Sequence, residues 1–341
     1  MRLLLTLKQH GFNVSCAPIS RLSLSKREVK NLAASVHDRL VNLAKLIEEE
    51  AEFVFTKYGL ERFLYRVSQT VYRTTFILKG AALLDVWNPK DHRRTRDADF
   101  LGEITYTSSE LEQVVREICQ TEVESDGLRY LTETVEANEI RKTSHYTGYR
   151  VTMIAMLGNA KIPIQIDVGF GDAVTPEPME LEYPTLLEQP SPHLWAYPKE
   201  TVVAEKLEAM VSIGMENTRF KDIYDIIILQ REFEFDGPLL SKAVSATFKR
   251  RGTTVLEDEV HPFGSTYCSE PINQTRWVAF LNKIATAAVT ENLCDAIGEL
   301  SRFCWPLIQS LKDDTILTGT WKPNSCWEYI ALHFKRNMPR K

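Results

Sequence analysis

The sequence lacks the closely spaced cysteines and histidines that a zinc site requires. Its 6 cysteines form no C-x-x-C pair, and its 7 histidines show no H-x-x-x-H spacing. Zinc binding is therefore not expected, and no spacing favours a catalytic pair of cysteine and histidine. Scattered cysteines instead indicate a reducing compartment, in which free thiols serve as small side chains of the core.

Membrane spans and a general basic excess are missing as well. No apolar run approaches the roughly 18 residues of a transmembrane helix. The apolar run at 3–7 is too short for a signal peptide and ends at Lys8. We therefore expect a cytoplasmic protein without a membrane partner. The formal net charge of −5 excludes a general affinity for nucleic acid, so RNA could bind only at a local basic cluster such as 90–96.

The pattern of apolar and polar residues changes along the 341 residues of the sequence. Helical periodicity at about 25–70 gives way to strand-like runs and glycine turns up to about 170, and then to mainly helical segments. This order predicts an α+β (mixed α/β) protein with N-terminal helices, a small mixed sheet and a helical C-terminal domain. The predicted divisions are a weakly structured N-terminus at 1–24, a domain at 25–175, a proline-rich linker at 176–198 and the helical domain at 199–341.

Three aspartates in strand-like surroundings are the strongest chemical signal. Asp97 and Asp99 form a D-x-D at the start of an apolar strand, and Asp167 lies in a later one. Residues two apart share a face of a strand, so the first two carboxylates would repel each other unless a cation lies between them. Carboxylate oxygens suit Mg²⁺ or Mn²⁺, so the trio predicts a metal site. Neutralisation by Arg94 and Arg96 is the competing explanation.

A glycine turn precedes the D-x-D. The segment Lys79-Gly80-Ala81 joins a strand-like run to a helix-like one. Glycine at such a turn lets backbone amides approach an anion, and the start of a helix favours negative charge. Because many turns of this kind contain glycine, its closeness to the D-x-D is what favours a nucleotide phosphate.

A lysine and an aspartate fall on apolar helix faces. Lys206 lies between Val202 and Met210 on the predicted helical wheel. A lysine in an apolar stripe requires an anion, either a bound triphosphate or a buried carboxylate. Asp222, on the apolar face of the next predicted helix, is the candidate partner. The pair is either a structural ion pair or a catalytic one, in which Asp222 holds Lys206 against the phosphates.

Five segments in a fixed order resemble a known family. They are Leu78-Lys79-Gly80-Ala81, Arg94-Thr95-Arg96-Asp97-Ala98-Asp99-Phe100-Leu101-Gly102, Asp167 within its strand, Ala204-Glu205-Lys206-Leu207, and Arg219-Phe220-Lys221-Asp222-Ile223-Tyr224-Asp225. Together they resemble the AbiEii/AbiGii toxin nucleotidyltransferases, which include the MenT toxins and belong to the DNA polymerase β-like superfamily. The resemblance covers roughly residues 30–330, and it is specific as a set although no segment is specific alone.

This resemblance implies a polymerase β-like nucleotidyltransferase core that uses a metal ion. It implies transfer of a nucleotide from an NTP, with the tRNA 3′ end as acceptor in the MenT branch. It also implies a toxin that acts with a cognate antitoxin, or in phage defence. The Gly-Ser of the wider superfamily is Gly80-Ala81 here, so one hydroxyl contact to phosphate is missing.

The predicted site combines the residue patterns with this resemblance. The catalytic residues are Asp97, Asp99, Asp167, Lys206 and Asp222, of which the first three are the metal ligands. The nucleotide-binding residues are Lys79, Gly80, Ala81, Thr95 and Lys206. A weaker RNA-binding prediction falls on Arg93, Arg94 and Arg96.

Two other functions remain open from the sequence. One is nucleotidylation of a small molecule or a protein hydroxyl, which the acidic composition favours slightly over a large RNA acceptor. The other is a non-catalytic binding partner on the same fold, against which the intact set of three carboxylates argues.

Overall fold

The structure, a computed structural model, describes residues 31–88, 93–143, 146–216, 218–255, 263–284 and 288–329. The predicted weakly structured segment at 1–24 lies outside these ranges, as does part of the basic cluster at 90–96. Within them the chain forms one large mixed sheet, one small sheet and ten α-helices.

The large sheet has seven strands in the spatial order β3-β4-β5-β2-β1-β7-β6. The strands are β1 (Phe76–Lys79), β2 (Asp97–Gly102), β3 (Leu128–Thr143), β4 (Tyr146–Leu157), β5 (Ala160–Phe170), β6 (Met179–Glu182) and β7 (His193–Ala196). β2 runs parallel to β5 and β1 runs parallel to β7, whereas the other neighbours are antiparallel. The predicted α+β class is confirmed, but the sheet is larger than the small one expected.

The helices surround this sheet and extend beyond it. They are α1 (Leu32–Leu46), α2 (Ala51–Ser68), α3 (Ala82–Trp87), α4 (Ser108–Gln120), α5 (Lys199–Ile213), α6 (Phe220–Glu232), α7 (Gly237–Arg251), α8 (Ser265–Ser269), α9 (Pro271–Ile284) and α10 (Leu293–Lys312). α2 packs on β5 and α4 packs on β3, whereas α5, α6, α7 and α10 pack mainly on one another. Of the described helices, none has the length and hydrophobicity to cross a membrane.

A small second sheet accompanies the C-terminal helices. Its strands are β8 (Phe235–Asp236), β9 (Thr320–Trp321) and β10 (Trp327–Glu328), in the order β10-β9-β8. The aromatic rings of Phe303, Trp321 and Trp327 pack together beneath it, with centroids 4.9 to 5.7 Å apart. This aromatic cluster joins the small sheet to α10.

The second half of the central strand β5 is buried. Every residue from Ile166 to Phe170 is buried, including Asp167. The Gly158-Asn159 turn predicted between two strands is confirmed, and Gly158 has a φ of +60°. The β4–β5 hairpin therefore places β5 beside β2.

The proline-rich segment at 176–198 contributes strands as well as connecting them. β6 and β7 are antiparallel to each other, and β7 joins the large sheet through Leu78 of β1. Prolines cannot donate to a strand ladder, but those of this segment all lie outside the four-residue strands β6 and β7. The segment predicted to be a linker thus forms one edge of the sheet that the site is built on.

Two cysteines form a disulfide, contrary to the expectation of free thiols. Cys268 of α8 is bonded to Cys294 of α10, at a sequence separation of 26. The contact between α8 and α10 brings them together, and no local spacing motif reveals it. Cys119, Cys304 and Cys326 are free thiols. The expectation that the cysteines all serve as free thiols is therefore wrong for this pair.

Glu61 of α2 gives the fold a specific pH dependence. Its carboxylate accepts a hydrogen bond from the Leu186 N–H at 2.6 Å and lies 3.4 Å from Arg62. Burial raises its pKa from the usual 4.5 to about 7. The unfolded chain therefore loses this proton at lower pH than the folded protein does. As pH rises from the pKa of Glu61 in the unfolded chain to its pKa in the folded protein, the free energy of unfolding falls.

We expect Glu61→Gln to flatten this part of the pH profile. The neutral amide keeps an oxygen acceptor for Leu186 and removes the cost of ionising a buried carboxyl as pH rises from about 5 to 7. Urea denaturation at several pH values measures the effect. Glu124→Gln, which alters an exposed glutamate, is the control. Equal pH dependence in the wild type and Glu61→Gln would show that Glu61 titrates normally.

Candidate active site

Three adjacent strands bring charged side chains into one row. The β1–β2 register pairs Lys79 with Asp99, and the β2–β5 register pairs Asp99 with Asp167. Asp97, two residues before Asp99, lies on the same face because side chains alternate along a strand. These residues line a cleft of about 630 Å³ whose other walls come from α5, α6 and α7. The three predicted aspartates therefore share one cavity.

Gly80 places the turn after β1 against Asp99. Its φ is +73°, and a Cβ built there would lie 2.1 Å from Asp99 Oδ2. A side chain at this position would therefore collide with the carboxylate as well as strain the backbone. The glycine allows the Lys79-Gly80-Ala81 turn and the D-x-D to face the same cleft, as the sequence predicts.

Two of the aspartates have well-defined partners. Asp97 accepts a short hydrogen bond from the Thr95 hydroxyl. Asp167 accepts two from Arg150 of β4, at 2.9 Å from Nε and 2.8 Å from Nη2. The hydrogen bond to Asp167, followed by the charges of Asp167, Asp97 and Asp99, raises the pKa of Arg150 despite partial burial. Arg150 is thus within electrostatic range of all three carboxylates.

The donor chemistry of this row fits a hard divalent cation, because carboxylates from two neighbouring strands face one cavity. As they stand, no three Asp, Glu, His or Cys side chains of the described residues are arranged to hold a metal ion. Asp97 is directed to Thr95, and Asp167 to Arg150. Asp97 and Asp99 are the donors on one strand. Asp167 faces the same cavity, and each of its oxygens accepts one hydrogen bond from Arg150 and keeps a further lone pair.

The ammonium group of Lys79 is held by carboxylates that line the cleft. It contacts Asp172 at 2.5 Å and Glu205 at 3.1 Å, and Arg251 contacts the same two carboxylates. Burial alone would lower the pKa of Lys79, but Glu205 and Asp172 raise it well above its usual range. Tyr197 also stands near this group and donates a hydrogen bond to Glu205. The predicted nucleotide contact of Lys79 therefore has to compete with two bound carboxylates.

The helical-wheel pairing of Lys206 with Asp222 is seen in the structure. Lys206 Nζ lies 3.0 Å from Asp222 Oδ1 and 2.6 Å from Asp225 Oδ2. Asp225 also binds Arg93, at 3.0 Å from Nε and 3.1 Å from Nη2. Burial would lower the pKa of Lys206, but Asp225 and Asp222 raise it. In turn Lys206 and Arg219 hold the pKa of Asp222 at about 2 although burial opposes this.

The three arginines predicted to contact RNA fall in different places. Arg93 lines the cleft and is bound to Asp225. Arg94 instead pairs with Glu49 at 2.8 Å, and Arg96 with Glu50 at 3.3 Å. These last two partners lie where α1 meets α2, so only Arg93 contributes to the cavity.

Several cleft residues were missed by the sequence analysis. They are Arg150, Asp172, Glu208, Lys221 and Arg251. Arg150 lies opposite Asp167 in the β4–β5 register, and a hairpin register counted from the Gly158-Asn159 turn could have identified it. Arg251 had no such signal, because it meets Asp172 and Glu205 only through the packing of α7 against the rest of the fold.

Comparison with known proteins identifies the family. A sequence profile described as "Nucleotidyl transferase AbiEii toxin, Type IV TA system" matches residues 62–300, which include every predicted site residue. No curated protein sequence matches the chain. A Helicobacter pylori structure described as a candidate nucleotidyltransferase shows 13% identity and a TM-score of 0.41, covering 82% of this chain and 96% of its own. The structure of JHP933 from Helicobacter pylori shows 14% identity and a TM-score of 0.40, and the match covers 86% of this chain and 96% of that one. Because the profile spans more than half of the sequence, the chain belongs to the AbiEii family of toxin nucleotidyltransferases.

Proposed function

We propose that this protein transfers a nucleotide from an NTP to the 3′ end of a tRNA and thereby blocks translation. The observation that supports this most directly is the β2–β5 register, which sets Asp99 beside Asp167 in a cleft shared with Gly80 and Lys206. Family membership supports nucleotidyl transfer itself. The tRNA acceptor rests on the resemblance to the MenT branch.

In this proposal the NTP lies between the turn after β1 and the wall formed by α5. The backbone amides of Gly80 and Ala81 contact its phosphates, and Lys206 faces them with a positive charge. Lys79 fixes the turn through Asp172 and completes the nucleotide-binding side. The cavity of about 630 Å³ is of the size that holds a nucleotide-like ligand.

Positioning residues surround these contacts. Thr95 orients Asp97 through its hydroxyl group. Asp222 and Asp225 hold Lys206, so that its ammonium group is fixed before the substrate arrives. Fixing charged groups in advance lowers the free energy of reorganisation during the reaction.

The reaction forms one P–O bond and breaks another. The acceptor hydroxyl oxygen attacks the α-phosphorus of the NTP as the bond to pyrophosphate breaks. Asp167 accepts or orients the hydroxyl proton, and Arg150 keeps its carboxylate in place. A divalent cation, Mg²⁺ or Mn²⁺, held by Asp97 and Asp99 together with Asp167 would supply neutralisation of the phosphate charge.

The biological setting follows from the family description. A Type IV toxin–antitoxin protein acts with a cognate antitoxin, and we propose such a protein partner here. A tRNA acceptor places the reaction in the cytoplasm, and a block on translation would also serve phage defence. Arg94 and Arg96 are exposed and follow the cleft-lining Arg93 closely in the sequence, and they are proposed to contact the RNA.

A labelling experiment tests this function. The purified protein is incubated with each of the four α-³²P NTPs and total RNA, in parallel with γ-³²P NTPs. We expect α-label, but not γ-label, in RNA of tRNA size, because the nucleotide is retained and pyrophosphate leaves. Periodate oxidation of the RNA before the reaction should abolish labelling, since it destroys the terminal 2′,3′-diol.

A second acceptor class is favoured by one observation. The net charge of −5 suits a protein or small-molecule hydroxyl better than a large polyanion. The same reactions with total cell protein and with a small-molecule extract distinguish these acceptors. Label in protein or in a small product would support this second function, and no incorporation from any NTP into any fraction would overturn nucleotidyl transfer.

A further inference from the structure

One part of the cleft carries more positive than negative charge. Four cationic side chains gather around the start of α6, and two carboxylates of that helix accompany them. The cations are Arg93, Lys206, Arg219 and Lys221, and the carboxylates are Asp222 and Asp225. Glu205 and Glu208 of α5 also line the cavity but bind Lys79 and Arg251. Four cations against two carboxylates leave an excess of two positive charges among these six side chains.

The buried members of this group already have their counter-charges. Lys206 lies between Asp222 and Asp225, and Arg93 forms a two-point contact with Asp225. Both carboxylates are fully buried, with 0% of their side-chain surface exposed. Attraction of a further anion to Lys206 is therefore offset by two fixed negative charges beside it.

The excess charge lies nearer the opening of the cleft. Arg219 binds Asp222 but keeps 43% of its side-chain surface exposed. Lys221 is exposed and lines the cavity, and it makes no hydrogen bond or ion pair with any residue that the structure describes. Lys221 is thus positioned to meet an anion that enters the cleft.

The electrostatic surroundings of Lys221 agree with this geometry. Desolvation lowers its pKa, and the positive charges of Arg219, Arg93 and Lys206 lower it further, against the opposing effect of Asp222. An anion placed among these cations would relieve that repulsion. The unliganded arrangement therefore disfavours the charge on Lys221, and a bound anion would favour it.

The carboxylate row restricts how a triphosphate can lie. Asp97, Asp99 and Asp167 line the same cavity, and their charge repels phosphate oxygens that are not neutralised. The reacting α-phosphate has to be near these carboxylates. The β- and γ-phosphates therefore have the most favourable electrostatic energy when they extend toward the four cations around the start of α6.

We propose that Lys221 and Arg219 bind the terminal phosphates of the NTP. This deepens the proposed function and rests on it, because it assigns the orientation of the same substrate. Lys206 then supplies fixed charge near the middle of the triphosphate, while Lys221 and Arg219 distinguish a nucleoside triphosphate from a monophosphate.

Binding measurements without turnover test this subsite. Isothermal titration in Mg²⁺ buffer uses inorganic tripolyphosphate, the four α,β-methylene NTPs, which cannot transfer their nucleotide, and the matching NMPs. We expect Lys221→Met to weaken binding of tripolyphosphate and of the preferred analogue about tenfold, or about 1.4 kcal/mol. Binding of the NMP should change less than about twofold, because an NMP lacks the terminal phosphates.

Two further variants make the result specific. Lys242→Met alters an exposed lysine of α7 outside the cleft and should leave all binding constants unchanged. Lys221→Arg keeps the charge and should retain most of the affinity. Thermal melting checks that every variant folds as the wild type does.

The possible outcomes separate this subsite from the function itself. Wild-type protein that binds neither tripolyphosphate nor any analogue would overturn both proposals. Unchanged binding in Lys221→Met, or equal weakening for NMP and NTP analogue, would overturn the subsite alone. Loss of RNA binding in Lys221→Met with intact NTP binding would also overturn it, because it would assign the lysine to the acceptor.

Discussion

Asp97→Asn is expected to lower the rate of nucleotide transfer by about a thousand-fold, or about 4 kcal/mol in activation free energy. The substitution removes a negative charge from the row that Asp97, Asp99 and Asp167 form along the cleft. It keeps an oxygen that can still accept the Thr95 hydrogen bond, so the local structure should remain. Incorporation of α-³²P label into RNA, followed over time with the preferred NTP, measures the rate.

The control for this variant is Glu124→Gln, which removes an exposed carboxylate outside the cleft. It should transfer nucleotide at the wild-type rate. Both proteins should melt within a few degrees of the wild type. If Asp97→Asn retained more than about a tenth of the wild-type rate, less than 1.4 kcal/mol would depend on this charge and the carboxylate row would not be the reaction centre.

Asp225→Asn is expected to lower the free energy of unfolding by about 3–5 kcal/mol. Asp225 is fully buried on α6 and binds both Arg93 and Lys206. Without its charge, two buried cations would share the single carboxylate of Asp222, and breaking a buried ion pair from one side leaves an uncompensated charge. Chemical denaturation monitored by circular dichroism measures this difference.

The double variant Arg93→Met/Asp225→Asn shows whether the loss of stability in Asp225→Asn comes from the broken ion pair or from poorer packing. It should be more stable than Asp225→Asn alone, because it removes one of the cations left uncompensated. Glu180→Gln is the matched surface case, since Glu180 pairs with Arg73 while 65% of its side chain is exposed, and it should cost under about 1 kcal/mol. A similarly small effect of Asp225→Asn would contradict the proposed role of the buried pair.

Features set by local pattern were predictable from the sequence. The D-x-D periodicity indicated a shared face for Asp97 and Asp99, and the Gly158-Asn159 turn indicated the β4–β5 hairpin. The helical wheel placed Lys206 and Asp222 on apolar faces, and the ion pair between them follows from the cost of burying either charge alone. In each case the evidence lies within a few consecutive turns or strand positions.

Features set by distant contacts were not predictable in the same way. Arg93 meets Asp225 across 132 residues, and nothing near either residue specifies the other. The strands β6 and β7 have four residues each, which is too short for a clear alternation among prolines. The bond between Cys268 and Cys294 depends on how α8 meets α10. The domain limits drawn from composition stay predictions.

The position of β5 between β2 and β4 sets the earliest point in synthesis at which the carboxylate row can be complete. β2 can pair with β1 as soon as both are made, but its other edge waits for a strand about sixty residues later in the chain. Pairings at such long sequence separation form slowly, because a long loop has to close first. A nascent chain therefore keeps Asp97 and Asp99 apart from Asp167 until β5 has been made, and a fragment that ends before residue 160 lacks the complete carboxylate row.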